Sequence, residues 1–163
     1  RGGPVYSQVR FGRPVYGPLV PRGRAHLVLG LEPIEALRRA AEYLSPGGGV
    51  VINVQVNVPL ETQLGRQPEL AFETIEGQLR TLGAGEILSV DARVLAEEAG
   101  GAATTNVLML GAMSALDVFP LAFGSIENAL RSTSRRRFLE GNLVSLHAGR
   151  EYALATKNAN NDD

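Results

Sequence analysis

The sequence has 163 residues and a mass of 17.4 kDa, the size of one ordinary domain, and 44% of its residues are hydrophobic, enough for a buried core. Sixteen Lys and Arg residues against 17 Asp and Glu residues leave a net charge of -1, which argues against a protein built mainly to bind nucleic acid. The absence of cysteine excludes disulfides, thiolate metal sites and cysteine-bound iron–sulfur clusters within this sequence. No apolar run approaches the ~20 residues of a membrane-spanning helix, so we expect a cytoplasmic protein without membrane contact.

The N-terminal region is predicted to form a hairpin followed by a loop. Apolar and polar residues alternate over Val5–Phe11, which is typical of a half-buried strand. Gly12, Arg13 and Pro14 then predict a turn, and Val15 begins a short return strand.

Strands alternating with helices follow. The nearly continuous apolar runs His26–Leu31 and Val50–Val54 predict strands that are covered on both faces, as in parallel sheets. Between them, Ile34–Leu44 has helical spacing with Pro33 in its first turn, and the glycines Gly47–Gly49 predict a turn that separates this helix from the second strand.

The remaining sequence continues this alternation and then becomes helical. We predict a helix over Glu69–Leu82, a strand over Glu86–Val90, a helix over Ala92–Ala99 capped by Asp91, and helices over Val107–Leu116, over Ile126–Ser132 with Ser125 as its cap, and over Arg136–Leu154. This order predicts an α/β fold with helices on both faces of a mostly parallel sheet. We expect a single domain over residues 1–154 and a loose, polar tail over residues 155–163.

Polar residues follow two of the predicted strands. Glu32 and Glu35 come after the first strand, and Asn53 and Gln55 lie in and after the second. Ligands of α/β proteins bind at the carboxyl edge of the sheet, and paired carboxylates can perform acid–base chemistry. Acidic residues in a first helical turn also simply stabilise the helix, and amides can hydrogen-bond a loop, so the sequence leaves both roles open.

Other candidate residues point to structural roles. Gly47–Gly49 runs from helix to strand, the reverse of the order in a phosphate-binding loop. Arg135–Phe138 could bind an anion, but in a chain without basic excess a solvated or partner-facing surface is the better interpretation. His26 and His147 have no companions at metal-ligand or triad spacing, so we predict no metal site and no catalytic residue on this chain.

An ordered series of stretches resembles the gamma-type domain of 2-oxoacid:ferredoxin oxidoreductases, and within that family most resembles the indolepyruvate branch. No single motif is decisive, and the order of the motifs makes the resemblance specific. The stretches are RGGPVYSQVRFG (Arg1–Gly12), VYGPLVPRGRAHLVLGLEPIEALR (Val15–Arg38), VVINVQ (Val50–Gln55), VDARVLAEEAG (Val90–Gly100), TTNVLMLGAMSALDVFPL (Thr104–Leu121) and EGNL (Glu140–Leu143).

The resemblance implies a three-layer, Rossmann-like α/β/α sandwich that works as an accessory subunit of a multisubunit enzyme. In that family a partner subunit carries thiamine diphosphate, Mg²⁺ and iron–sulfur clusters, an aryl-pyruvate is oxidatively decarboxylated, coenzyme A receives the acyl group and ferredoxin takes the electrons. We therefore expect no cofactor on this chain alone and no activity without the catalytic partner.

The resemblance also implies a strand and a Gly-rich loop before the Arg-Gly-Gly motif, and the sequence does not contain either. Arg1, Gly2 and Gly3 match that motif, and together with Glu32 and Asn53 they are the candidate cofactor contacts. Glycines there would permit close backbone approach to a ligand or partner.

An accessory subunit needs a surface for its partner, and the loop over residues 12–24 is the best candidate. It carries Arg13, Tyr16, Arg22 and Arg24 among three prolines. Arg and Tyr are enriched at the energetic centres of interfaces, and prolines lower the cost of ordering a loop. A solvated loop is an equally weighted alternative.

Two further functions remain open. The chain could be the gamma subunit of a pyruvate or other 2-oxoacid:ferredoxin oxidoreductase, or a free-standing module that binds a nucleotide or coenzyme A. The sequence does not fix the 2-oxoacid, the stoichiometry or any contact with coenzyme A.

Overall fold

The computed structural model describes residues 5–55 and 70–161. Three parallel strands form its sheet in the order β1 (Ala25–Gly30), β2 (Leu44–Asn53) and β3 (Glu86–Val90). Helix α1 (Pro33–Tyr43) connects β1 to β2, and α2 (Phe72–Thr81) precedes β3. The predicted parallel α/β fold is confirmed.

The rest of the described chain is helical. It comprises α3 (Ala92–Ala99), a short 3₁₀ turn (Ala102–Thr104), α4 (Thr105–Met113), α5 (Phe123–Thr133) and α6 (Arg136–Asn161). Across residues 5–55 and 70–161, none of the helices is both long enough and apolar enough to cross a bilayer.

The central strand β2 has helices on both of its faces. Val50 and Ile52 pack in one core with α1 and α2, whereas Val51 packs in a second core with α3, α4 and α6. The strand is apolar without alternation because both of its faces are buried. The molecule is therefore a three-layer α/β/α sandwich, as predicted.

Helix α1 packs closely on β1 because Gly30 has no side chain. A β carbon on Gly30 would lie 2.2 Å from the β carbon of Ala36, which is itself buried. The Glu32 carboxylate accepts a hydrogen bond from the Glu35 amide, and Pro33 occupies the first helical position. These features fix where α1 begins, at the carboxyl end of β1.

The predicted N-terminal hairpin is wrong. Residues 5–24 contain no strand, and only bends and turns interrupt this otherwise irregular segment. The Arg10 guanidinium donates hydrogen bonds to the carbonyls of Gly17 and Leu19, and the Val20 amide donates to the Gln8 side chain. Side chains therefore take backbone partners that a strand ladder would use, and three prolines between residues 14 and 21 remove amide donors.

The predicted turn at Gly47–Gly49 lies inside β2. Ala25 pairs with Leu44 and Leu27 with Gly49, so the strand bulges between these two positions. At Gly47 the backbone has a positive φ of 77°, and its amide donates to the carbonyl of Gly83 at 2.8 Å. The glycines thus form a bulge in β2, and this bulge contacts Gly83 in the turn between α2 and β3.

The remaining boundaries differ at helix ends. Asp91 caps α3 as predicted, but α5 begins at Phe123, two residues before its predicted cap Ser125. The start of the predicted helix at Glu69 lies outside the described residues. Helix α6 continues through Asn161, so the predicted loose tail from residue 155 is helical up to that point.

The extension of α6 has a physical cause. The Lys157 ammonium contacts the carboxylates of Asp117 at 2.8 Å and Glu86 at 3.1 Å, and it donates to the carbonyl of Ala115 at 3.3 Å. These contacts tie the end of the helix to the start of β3 and to the turn after α4.

Candidate functional site

The carboxyl edge of the sheet is joined together by the buried side chain of Asn53. Its amide nitrogen donates to the carbonyl of Leu31 at 3.2 Å, and its oxygen accepts from the amide of Ala92 at 3.2 Å. One side chain at the end of β2 thereby links the chain after β1 to the chain after β3. This geometry favours a structural role for Asn53, and its contact with a cofactor stays a prediction.

Carboxylates already occupy the beginnings of two helices at this edge. The Glu32 carboxylate accepts from the Glu35 amide at 3.0 Å in α1, and the Asp91 carboxylate accepts from the Val94 amide at 3.4 Å in α3. Glu35 is ion-paired with Arg38, so the two glutamates do not form a free acid–base pair.

This edge does not fit an anionic cofactor within the described residues. Helix N-termini bind phosphates because their amides and dipoles favour negative charge, but here Glu32 and Asp91 supply that charge. The second oxygen of Glu32 is buried and has no hydrogen-bond partner in the described part of the chain, so it is suited to a donor rather than to a phosphate. The starts of α1 and α3 therefore do not suit the phosphates of thiamine diphosphate or coenzyme A.

Sequence reasoning missed a polar network beside Asn53. Gln55 donates from its amide nitrogen to the Asp91 carboxylate at 3.0 Å and accepts from the Arg93 guanidinium at 3.1 Å. The residues are 36 and 38 positions apart, so spacing alone gave no signal. The network supports hydrogen bonding as one role of Gln55.

The second candidate region is the segment over residues 5–24, which we call the arm. It is fixed to α1 by Tyr6, whose ring lies 4.6 Å below the Arg39 guanidinium and 6.3 Å from the ring of Tyr43. The adjacent Tyr6 side chain is the main cause of a raised pKa at Tyr43, together with burial and the Glu42 carboxylate.

The arm is strongly exposed despite its apolar composition. The side chains of Tyr16, Val9 and Leu19 are 90%, 76% and 71% exposed, respectively. Exposed apolar side chains on one segment are typical of a surface that another segment or another molecule covers.

The four predicted interface residues all lie on this arm. Arg13, Tyr16, Arg22 and Arg24 are exposed, and Arg22 lies 3.3 Å from the Glu42 carboxylate of α1. The structure therefore places them on one continuous segment, and their contact with a partner stays a prediction.

A large groove runs between the arm, β1, α1 and the segment leading into α5. Its volume is about 2350 Å³, and the apolar side chains of Leu29, Leu31 and Leu121 are exposed along it. Small-molecule sites usually measure about 300–1,000 Å³. The groove is therefore larger than a typical small-molecule pocket.

The other candidates are dispersed over the molecule. Arg1, Gly2 and Gly3 lie outside the described residues. His26 is exposed on β1, whereas His147 of α6 stacks edge-on against Phe123 at 5.0 Å and lies 3.7 Å from the Glu127 carboxylate. Arg135–Phe138 is exposed at the start of α6, far in sequence from the arm.

Within the described ranges, no group of three or more His, Cys, Asp or Glu side chains is arranged to hold a metal ion.

Glu127 of α5 contacts Arg131 on the same helix and His147 on α6. Arg131, one turn along α5, is the main cause of a lowered pKa at Glu127, and His147 contributes. These contacts join α5 to α6.

A parallel sheet with helices on both faces and a Rossmann-like layering defines an α/β/α domain. Residues 1–152 match the family model described as "Pyruvate ferredoxin/flavodoxin oxidoreductase", and the chain belongs to that family. The resemblance inferred from the sequence is thereby confirmed.

Curated relatives support the indolepyruvate branch. The chain is 34% identical over 91% of its length to "Indolepyruvate oxidoreductase subunit IorB" of Thermococcus kodakarensis and 35% identical over 91% to that of Pyrococcus horikoshii, covering 73% of each. It is 34% identical over 95% of its length to the subunit of the same name from Archaeoglobus fulgidus, of which it covers 76%.

A solved structure shows the same fold. The gamma subunit of a keto/oxoacid ferredoxin oxidoreductase from Geobacter sulfurreducens superposes with a TM-score of 0.56 over 82% of this chain, at 21% identity. The chain spans 66% of that subunit's length.

Proposed function

We propose that the chain is an accessory, gamma-type subunit of a thiamine diphosphate-dependent 2-oxoacid:ferredoxin oxidoreductase that acts on indolepyruvate or another aryl-pyruvate. The observation that carries the proposal is the similarity to subunits named indolepyruvate oxidoreductase over 91% of this chain, within a family match over residues 1–152. The complex would convert the 2-oxoacid and coenzyme A to acyl-coenzyme A and CO₂, and pass two electrons to ferredoxin.

The chemistry of the chain supports an accessory role. Its sequence has no cysteine, so it has no thiolate for an iron–sulfur cluster. At the described carboxyl edge, Asn53 is engaged with Leu31 and Ala92, and both helix N-termini carry carboxylates. We infer that thiamine diphosphate, Mg²⁺ and the clusters are carried by a partner subunit, and that coenzyme A enters as co-substrate.

The surface of the chain supports association. The arm and the groove beside β1 expose apolar side chains, which is typical of surfaces that another polypeptide segment covers. We propose Arg13, Tyr16, Arg22 and Arg24 as contacts of the arm with the catalytic subunit, in a cytoplasmic complex.

Activity measurements test the proposal directly. The purified chain should give no reduced ferredoxin with indolepyruvate, coenzyme A, thiamine diphosphate and Mg²⁺. Addition of the catalytic subunit from the same organism should produce reduction. Turnover by the chain alone, or a catalytic subunit whose activity and stability do not change when the chain is added, would contradict the accessory role.

The alternatives predict different results. If the chain were the gamma subunit of another branch, its complex would oxidise pyruvate but not indolepyruvate. The substrate would then differ, and the accessory role would be the same. A free-standing module would bind coenzyme A by itself, and a calorimetric titration of coenzyme A into the isolated chain would detect it.

A further inference from the structure

We propose that the fold protects Lys157, the single lysine of the chain, from acylation by the acyl-coenzyme A that the complex forms, and that Asp117 and Glu86 supply this protection. The inference rests on the proposed function, because that function supplies the thioester. It assigns a chemical role to the ion pairs near the end of α6.

Acyl thioesters react with amines that are not protonated. The neutral amine attacks the thioester carbonyl, a C–N bond forms as the C–S bond breaks, and the thiol of coenzyme A leaves with the proton. Lys157 is the only lysine among the 16 Lys and Arg residues of the chain, and the guanidinium groups of the arginines stay protonated. Acylation of a side-chain amine in this sequence therefore depends on one residue.

The ammonium group of Lys157 is surrounded by three acceptors. It lies 2.8 Å from the Asp117 carboxylate and 3.1 Å from the Glu86 carboxylate, and it donates to the carbonyl of Ala115 at 3.3 Å. An ammonium has three N–H donors, so one acceptor is present for each. The side chain is also only 24% exposed, which restricts the approach of a thioester.

The two carboxylates also keep the amine protonated. The hydrogen bond to Asp117 is the main cause of the raised pKa of Lys157, burial opposes it, and Glu86 adds to it. A raised pKa lowers the fraction of neutral amine at any pH below it. Lysines that act as nucleophiles are the reverse case, because their environment lowers the pKa. Protonation and enclosure therefore both slow the reaction of Lys157.

The acceptors come from parts of the chain that are distant from α6 in sequence. Glu86 begins β3, and Ala115 and Asp117 follow α4. Acylation of Lys157 therefore requires the end of α6 to move away from both places, in a local opening of the structure. Acylation would also remove the positive charge and leave two carboxylates without their cation. The packed end of α6 is thus the unreactive state.

Competition with a free lysine measures the protection. The folded chain and Nα-acetyl-lysine amide are incubated together with acetyl-coenzyme A at mildly alkaline pH, and mass spectrometry follows the acetylation of both. Lys157 should react at least about tenfold more slowly than the reference amine. In guanidinium chloride the two amines should react within about twofold of each other, because unfolding removes the contacts.

Variants test which groups supply the protection. D117N should accelerate acetylation of Lys157, and it keeps the fold because the Asp117 side chain is 89% exposed. D117N/E86Q should react at least about fivefold faster than the wild type, since both carboxylates are gone. The matched control E73Q/E98Q removes the same charge from exposed positions of α2 and α3 and should stay within about twofold of the wild type.

Each outcome decides a part of the proposal. Acetylation of wild-type Lys157 at the rate of the reference amine would overturn the protection. Equal slow rates for the wild type and D117N/E86Q would assign the protection to burial and overturn the role of the carboxylates. An equal acceleration in E73Q/E98Q would show a general effect of charge and would also overturn that role.

The experiment is independent of the proposed function. It uses acetyl-coenzyme A and the chain by itself, so it needs neither turnover nor a partner. If the complex formed no acyl-coenzyme A, the ferredoxin assay would show that failure while the protection of Lys157 in this competition stayed the same. If the protection failed, the ferredoxin assay would be unaffected.

Discussion

Gly111 of α4 lies directly against the backbone of Leu146 in α6, so that a β carbon on Gly111 would be 2.0 Å from the Leu146 carbonyl oxygen. Gly149 of α6 makes the reciprocal approach, because its β carbon would lie 2.0 Å from the carbonyl oxygen of Leu108. The two helices therefore meet backbone to backbone along this stretch. The small residues of α4 predict a largely buried helix, and Leu108, Met109, Gly111 and Ala112 are buried.

Substitution of Gly111 should destabilise the domain. Gly111→Leu should lower the free energy of unfolding by about 1–3 kcal/mol, because the new side chain meets backbone atoms that cannot move aside. Denaturant titration measures the change.

Gly77 provides the matched control for Gly111. It lies in α2, and a β carbon added there would have no other atom within 4 Å, so Gly77→Ala should stabilise the domain by about 0.4–1 kcal/mol. Equal stability of Gly111→Leu and the wild type would show that α4 and α6 are not in close contact.

Asn53→Ala should destabilise the domain through the carboxyl edge of the sheet. The variant leaves the Leu31 carbonyl and the Ala92 amide without the partners that Asn53 supplies. We expect a loss of about 2–3 kcal/mol in the free energy of unfolding, since each buried polar group left without a partner costs about 1–3 kcal/mol.

Asn128→Ala, at an exposed position of α5, is the control for Asn53 and should stay within about 0.5 kcal/mol of the wild type. Thermal or chemical denaturation compares the two. A stable Asn53→Ala variant would remove the structural role and would restore Asn53 as a candidate for ligand contact.

Lys157 should stabilise the protein in a pH-dependent manner. Its hydrogen bond to Asp117, supported by Glu86 and opposed by burial, raises the pKa of Lys157 above its ordinary value of 10.5. The stabilisation is fully present below that ordinary value, and it is lost as the pH rises through the raised pKa of the folded state. Lys157→Met should cost about 1–2 kcal/mol at neutral pH, and the difference from the wild type should shrink as the pH rises through the raised pKa of Lys157.

The neighbours of Lys157 give a graded control. Asp117 has a side chain that is 89% exposed, so Asp117→Asn should cost less than about 0.5 kcal/mol. A difference between Lys157→Met and the wild type that stays constant into the alkaline range would rule out the ion pairs as its source.

Tyr16→Ala with Arg22→Ala should weaken association without unfolding the chain. The isolated double variant should remain within about 0.5 kcal/mol of the wild type, because Tyr16 is exposed and the Arg22–Glu42 pair lies at the surface. Affinity for the catalytic subunit should fall by about tenfold or more, which is about 1.4 kcal/mol. Phe138→Ala with Arg136→Ala removes an aromatic residue and an arginine elsewhere and should retain wild-type affinity in the same titration.

The strands could be predicted from the sequence because each is a short apolar run with its own signal. The predicted strand Glu86–Val90 has the same first and last residues as β3 in the structure. The position of Asp91 directly before a helical pattern is enough to predict that it caps α3. The arm could not be predicted, because Val5–Phe11 has the alternation of a strand while Arg10 binds the carbonyls that a neighbouring strand would need.

The roles of the sheet-edge residues depended on contacts distant in the sequence. Asn53 bonds to Leu31, 22 residues before it, and to Ala92, 39 residues after it, so no local pattern could separate a structural amide from a ligand contact. Near the end of α6, Lys157 likewise contacts Asp117, 40 residues away, and no local pattern in residues 155–161 indicates that contact.

Association with a cluster-bearing catalytic subunit tests the central claim most directly. The chain, tagged and produced together with the catalytic subunit of the same organism under exclusion of oxygen, should be purified by its own tag and analysed by size-exclusion chromatography with light scattering. The account predicts a single complex that contains both subunits and has the visible absorption of iron–sulfur clusters. Elution of the chain alone, colourless and free of the catalytic subunit, would contradict it.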